Sequence, residues 1–182
     1  IDAKLLTGEA ATAKSIQNYH RPRILHIASH AFYRPKQDIT TEHPLVSTGI
    51  VLAGANNPDY NPVDDGYLTA LEITDLNLQG TELVVVSACD SGQGLRMSGE
   101  GVYGLKRAIT VAGARSSLLS LWKVNDAATR VFMTNFYQRL KDGETKYTSL
   151  IKTQSDFKNG VIKSPDPKDD WSHPYFWAAF QL

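Results

Sequence analysis

Glu82-Leu-Val-Val-Val-Ser-Ala-Cys89-Asp-Ser-Gly92 is a short apolar run, rich in β-branched residues, that breaks abruptly into turn formers and carries the chain's single cysteine near its end. A second run of the same character, Ile24-Leu-His-Ile-Ala-Ser-His30, ends in a histidine. Runs of this length, bounded by turn residues, read as buried strands. In an open parallel sheet, reactive groups gather in the crevice outside the carboxyl ends of the strands. If the two runs are neighbours, a thiol and an imidazole meet at one rim, the minimum equipment for thiolate catalysis.

Working outward, Gly8 to Asn18 has helical composition, with Ala10, Ala13 and Ile16 on one face and Pro22 ending it. Residues 31–48 are polar and proline-punctuated, a loop long enough to be functional. Gly49 to Ala53 is a third short strand, and the turn signals of Gly54 to Gly66 make a second loop. Val63 to Leu68 and the tail Trp171 to Trp177 read as core and turn elements. Thr69-Ala-Leu-Glu72 is a capping-box pattern that opens a short helix before the Cys89 strand.

Beyond Cys89, the glycine- and serine-rich stretch Asp90 to Gly99 is a loop. Val102, Leu105, Ile109 and Ala112 recur at helical spacing and Gly113 ends that helix. Ser116 to Trp122 is the next strand. Asn125 or Asp126 caps a long helix with the stripe Ala128, Phe132, Phe136 and Leu140, and Thr145 to Asn159 forms another. Tyr175 to Leu182 reads as a final aromatic strand. Strands alternating with helices indicate an α/β protein with a largely parallel sheet.

The 182 residues fit one domain with a full core, and 42% apolar with 21% charged residues is ordinary for a globular chain. A formal net charge of zero gives no argument for nucleic acid or an anionic membrane surface. No apolar stretch approaches the roughly 18 residues of a membrane helix, and no signal peptide is visible. One cysteine makes no internal disulfide and suits a reducing cytoplasm. The start at Ile1 points to a piece of a longer chain.

Eight pieces, in order along the chain, resemble the CHAT domain, the bacterial caspase-like peptidase domain often found behind tetratricopeptide repeats. They are Leu25-His-Ile-Ala-Ser-His30, Gly49-Ile-Val-Leu-Ala-Gly54, Asp65-Gly-Tyr-Leu-Thr69, Leu83 to Gly92, Gly99-Glu-Gly-Val-Tyr-Gly104, Ala112-Gly-Ala-Arg115, Ser120-Leu-Trp122 with Asp126, and His173 to Phe180. The resemblance implies one caspase-like αβα domain over residues 1–182 with a mostly parallel central sheet. It also implies His30 as base, Cys89 as nucleophile, and the backbone N–H groups of Ala31 and Cys89 as oxyanion donors. The family usually has glycine where this chain has Ala31, which keeps the N–H but resists positive φ. The family's domain also usually has strands before Gly8. Those are expected from an upstream tetratricopeptide-repeat region or a second chain.

Rival readings accompany each candidate. His26 shares a face with His30 but lies about 13 Å down the strand, at roughly 3.3 Å per residue, and reads as a satisfied core histidine. The two histidines lack the third and fourth members of a zinc set, so no metal or cofactor is expected. Gly99 to Gly104 matches the dinucleotide pattern but does not follow its strand directly. Its glycines read instead as a close helix–sheet approach. Ser149-Leu-Ile-Lys152 matches S-x-x-K without its companion motifs. Substrate-binding candidates are Ser87, Asp90, Glu100, Trp122 and Asp126. Glu100 serves equally as a helix N-terminal charge, and Asp126 either selects a basic residue or helps to cap its helix.

The expectation is a cytoplasmic cysteine endopeptidase acting on a protein through a thioester. The alternatives are a catalytically silent scaffold for protein interaction and esterase or amidase chemistry on the same dyad. The short interval between Cys89 and Leu118 leaves no room for a long processing linker. Control is therefore expected from outside this segment, acting on the loop Asp90 to Glu100.

Overall fold

The computed structural model describes residues 3–33, 44–56, 65–90 and 99–182, the side chains at 44, 88–90 and 99–100 excepted. Its centre is a six-stranded sheet in the order β3-β2-β1-β4-β5-β6. The strands are β1 (Ile24–Tyr33), β2 (Thr48–Val51), β3 (Tyr67–Thr69), β4 (Leu83–Asp90), β5 (Ser117–Ser120) and β6 (Phe180–Gln181). β1 pairs with β4, and β4 with β5, in parallel. The β1–β2, β2–β3 and β5–β6 pairs are antiparallel, so only β2 and β6 run against the rest.

Alternation along the strands sorts the core into two layers. Val84 and Val86 of β4 join Ile27 and Ala31 of β1 against α1 (Ala13–Gln17), α2 (Ala70–Thr74) and α3 (Gly99–Val111). Leu83 and Val85 face the other way, onto α4 (Asp126–Lys141) and α5 (Lys146–Lys158). Leu83 to Val86 are each at most 2% exposed, which explains why that run is apolar without alternation: both faces of the strand are covered. The result is the three-layer αβα arrangement.

Helix boundaries follow local chemistry. Thr69 accepts a hydrogen bond from the Glu72 N–H while the Glu72 carboxylate accepts from the Thr69 N–H, closing the expected capping box. Asn125 caps α4 by accepting from the Ala128 N–H, and Thr145 caps α5 through Thr148. Ala128, Phe132 and Phe136 are fully buried, and Gly113, at φ +101°, follows α3.

The glycines of Gly99 to Gly104 do allow a close helix–sheet approach. A Cβ on Gly104 would stand 2.7 Å from Thr48 Cγ2, and one on Gly101 3.1 Å from the Tyr33 ring. Thr48 Oγ1 lies 3.1 Å from the Phe32 carbonyl and 3.3 Å from the Gly101 carbonyl, donating between strand and helix.

Several boundaries differ from the sequence reading. The segment 8–18 is two short pieces, because Thr12 turns its side chain to the Ser15 N–H and caps a new helix there. β1 runs on to Tyr33 because β2 folds back along it, so residues 31–33 are strand rather than loop. Tyr67 to Thr69 pairs with β2 as an edge strand. The aromatic tail is mostly not strand: Pro174 starts a short 3-10 turn and only Phe180 and Gln181 pair, antiparallel to β5. Residues 34–43, 57–64 and 91–98, which make up most of the three loops expected from sequence, lie outside the described residues.

Gly104→Val should lower stability by about 1–3 kcal/mol through overpacking against Thr48, read as a reduced urea midpoint.

Candidate active site

Strands β1 and β4 lie side by side in parallel, and their register pairs His30 directly with Cys89. Paired positions on neighbouring strands are about 4.8 Å apart. Both positions sit toward the carboxyl ends of their strands, where the sheet opens into its crevice. His30 is exposed. The side chains of Cys89 and Asp90 are outside the described residues, so the meeting of the two positions is a statement of backbone register.

Ala31 follows in β1, 2% exposed, with Ile50 of β2 on one side and Asp90 of β4 on the other. Its backbone is extended and its φ is not positive. Alanine in place of glycine therefore introduces no strain here.

On the His30 side of β1, the ladder carries a second polar group. His26 Nε2 lies 3.1 Å from the Ser87 hydroxyl, and its Nδ1 lies 3.0 Å from the Tyr137 hydroxyl of α4. The histidine is satisfied, as expected, but it is not in the core: the residue is exposed on the open side of β1. Its two nitrogens nevertheless turn inward, and this local burial lowers its pKa below the ordinary 6.5. Burial likewise raises the pKa of Tyr137, holding the phenol protonated. Nothing in the sequence reading linked Tyr137 to this site, because its partner stands 111 residues away in the chain.

The chain after β5 reaches the same rim. Trp122 is 39% exposed and its indole N–H donates to the Tyr175 carbonyl at 3.1 Å. Because β6 runs antiparallel to β5, the segment before Phe180 returns to that edge and sets Tyr175, itself 41% exposed, beside Trp122. Core and turn is what Trp171 to Trp177 form, with Trp171 buried and a 3-10 turn at Pro174, but that reading gave Tyr175 no place at the rim.

The CHAT domain family matches this chain across residues 1–182. The chain belongs to the CHAT domain family. Tetratricopeptide repeat protein 28 of Mus musculus is 35% identical over 124 residues, covering 68% of this chain, and that of Homo sapiens is 33% identical over 129 residues, covering 71%. The matched stretch amounts to 5% of each relative's length. These relatives are mammalian, whereas the resemblance implied a bacterial setting. Their name agrees with the expected tetratricopeptide-repeat association.

In this CHAT domain the backbone brings His30, Ala31, Ser87 and Cys89 onto adjacent strands and Trp122 to the same edge. Asp126 stands apart as an exposed residue in the first turn of α4, directly after the Asn125 cap. Glu100 lies in the first turn of α3, its side chain outside the described residues. Among the described residues no helix is long and apolar enough to cross a membrane.

The lowered pKa of His26 makes a signed prediction. The unfolded chain takes up the proton first as pH falls through 6.5, so this stability contribution is present above that value and lost below it. Wild type should lose stability between pH 8 and pH 5 by urea unfolding, and His26→Asn should flatten the loss.

Proposed function

We propose that this CHAT domain is a cysteine endopeptidase with Cys89 as nucleophile and His30 as general acid and base. The observation that carries the reading is the His30–Cys89 register pair at the carboxyl edge of the parallel ladder. An imidazolium beside a thiol lowers the thiol's pKa and makes a thiolate available near neutral pH. The thiolate attacks the peptide carbonyl, with the backbone N–H groups of Ala31 and Cys89 as oxyanion donors. His30 gives its proton to the leaving amine as the C–N bond breaks, leaving a thioester on Cys89. Water, deprotonated by His30, then releases the acid and restores the thiol.

Ser87 and Trp122 flank this pair and are the substrate contacts the fold favours. Asp90, Glu100 and Asp126 remain candidates from the family pattern. Control comes from an upstream tetratricopeptide-repeat region in this reading, supported by the name of the mammalian relatives. The alternative reading is a catalytically silent scaffold for protein interaction.

An electrophilic peptide probe separates the two. Cys89 should be labelled in the intact protein, and His30→Ala should slow labelling by about 10²–10⁴-fold. Unchanged labelling in that variant, or none in wild type, supports the scaffold. The active protein should also show no internal cut between Cys89 and Leu118; an obligatory cut there would contradict control from outside the segment.

A further inference from the structure

The Tyr137–His26–Ser87 chain has no part in the dyad chemistry, yet it ends two residues before Cys89 on the same strand. At roughly 3.3 Å per residue, Ser87 lies about 6.6 Å below the nucleophile position, within reach of a long substrate side chain entering beside the scissile bond. His26, four residues and about 13 Å below His30 along β1, is too far from the rim for direct contact and acts through the serine.

The hydrogen-bond directions in this chain are linked. Of the two hydroxyls on this imidazole the phenol is the more acidic, which favours the tautomer in which Tyr137 donates to His26 Nδ1, 3.0 Å away. In that tautomer the imidazole carries its proton on Nε2 and donates to Ser87 Oγ, 3.1 Å away; in the other the serine donates. Among the described residues the Ser87 hydroxyl is bonded to His26 alone, and Ser87 is 7% exposed. In the Nε2–H tautomer its own hydrogen is a nearly buried donor awaiting an acceptor, an unfavourable state that a suitable ligand atom relieves. Local burial keeps both His26 and Tyr137 uncharged near neutral pH, so the donor carries no net charge.

We infer that His26 and Tyr137 are positioning residues that hold the Ser87 hydroxyl as a hydrogen-bond donor to a substrate side chain ending in an amide or carboxyl oxygen. The inference rests on the peptidase reading above and supplies what that reading lacks, the chemistry of the residue before the scissile bond. Glutamine and glutamate have both the reach and the acceptor. A leucine has the reach but leaves the donor unpaired, and an arginine presents further donors to a donor.

The test uses the intact protein and electrophilic peptides differing only in the last residue: glutamine, glutamate, leucine or arginine. Wild type should label Cys89 about tenfold faster with glutamine or glutamate than with leucine, the effect of one unmade neutral hydrogen bond. Ser87→Ala and Tyr137→Phe should each draw that ratio toward one. Nitrogen NMR of His26 should show the Nε2–H form in wild type and a tautomer mixture in Tyr137→Phe. A profile led by arginine, ratios unmoved in both variants, or an Nδ1–H tautomer in wild type would overturn the inference while leaving the peptidase intact. Absence of labelling with every probe would remove the peptidase reading, and this inference with it.

Discussion

The parallel ladder between β1 and β4 is the constraint on which the site depends. Parallel pairing with Ile24 opposite Leu83 carries through, residue by residue, to His30 opposite Cys89. A slip of one residue would move every side chain of one strand to the other face. Such a slip is opposed at once by both layers, since Val84 and Val86 are committed to α2 and α3 while Leu83 and Val85 are committed to α4. The register is therefore set by core packing far below the rim, and the reactive positions inherit it.

The surrounding elements hold that ladder from both sides. β2 returns along the end of β1, and the Thr48 hydroxyl ties it to the Phe32 carbonyl of β1 and the Gly101 carbonyl of α3. On the opposite face the Tyr137 hydroxyl reaches from α4 to His26, and His26 to Ser87, so one polar chain crosses a helix and both central strands. Polar groups close to a covered sheet face are tolerated when each is partnered, and here each imidazole nitrogen has its hydroxyl.

How much of this was legible in the sequence depended on whether the signal was local. The β4 run, the capping box at Thr69 and the α4 stripe are written in short-range pattern, and the structure reproduces them. Eight family motifs, ordered along the chain, pointed to the right fold. Partnership across space was not legible. Nothing local links Tyr137 to His26, and β3 and the extension of β1 exist only because β2 lies between them. Thr12 was hidden by a helical composition that its own capping hydroxyl interrupts. The aromatic tail supports two readings: Tyr175, Phe176 and Trp177 have strand character, but Trp171 to Trp177 form the core and turn, with Pro174 beginning a turn that packs Phe176 near Trp171.

The most direct measurement is the pH dependence of Cys89 alkylation by a small neutral electrophile, in wild type and in His30→Ala. If the register pair is a working dyad, the wild-type thiolate forms well below the pKa of about 8.5 of a free cysteine, and His30→Ala returns it toward that value. A wild-type profile at or above 8.5, unchanged by His30→Ala, would mean that the thiol and the imidazole do not meet.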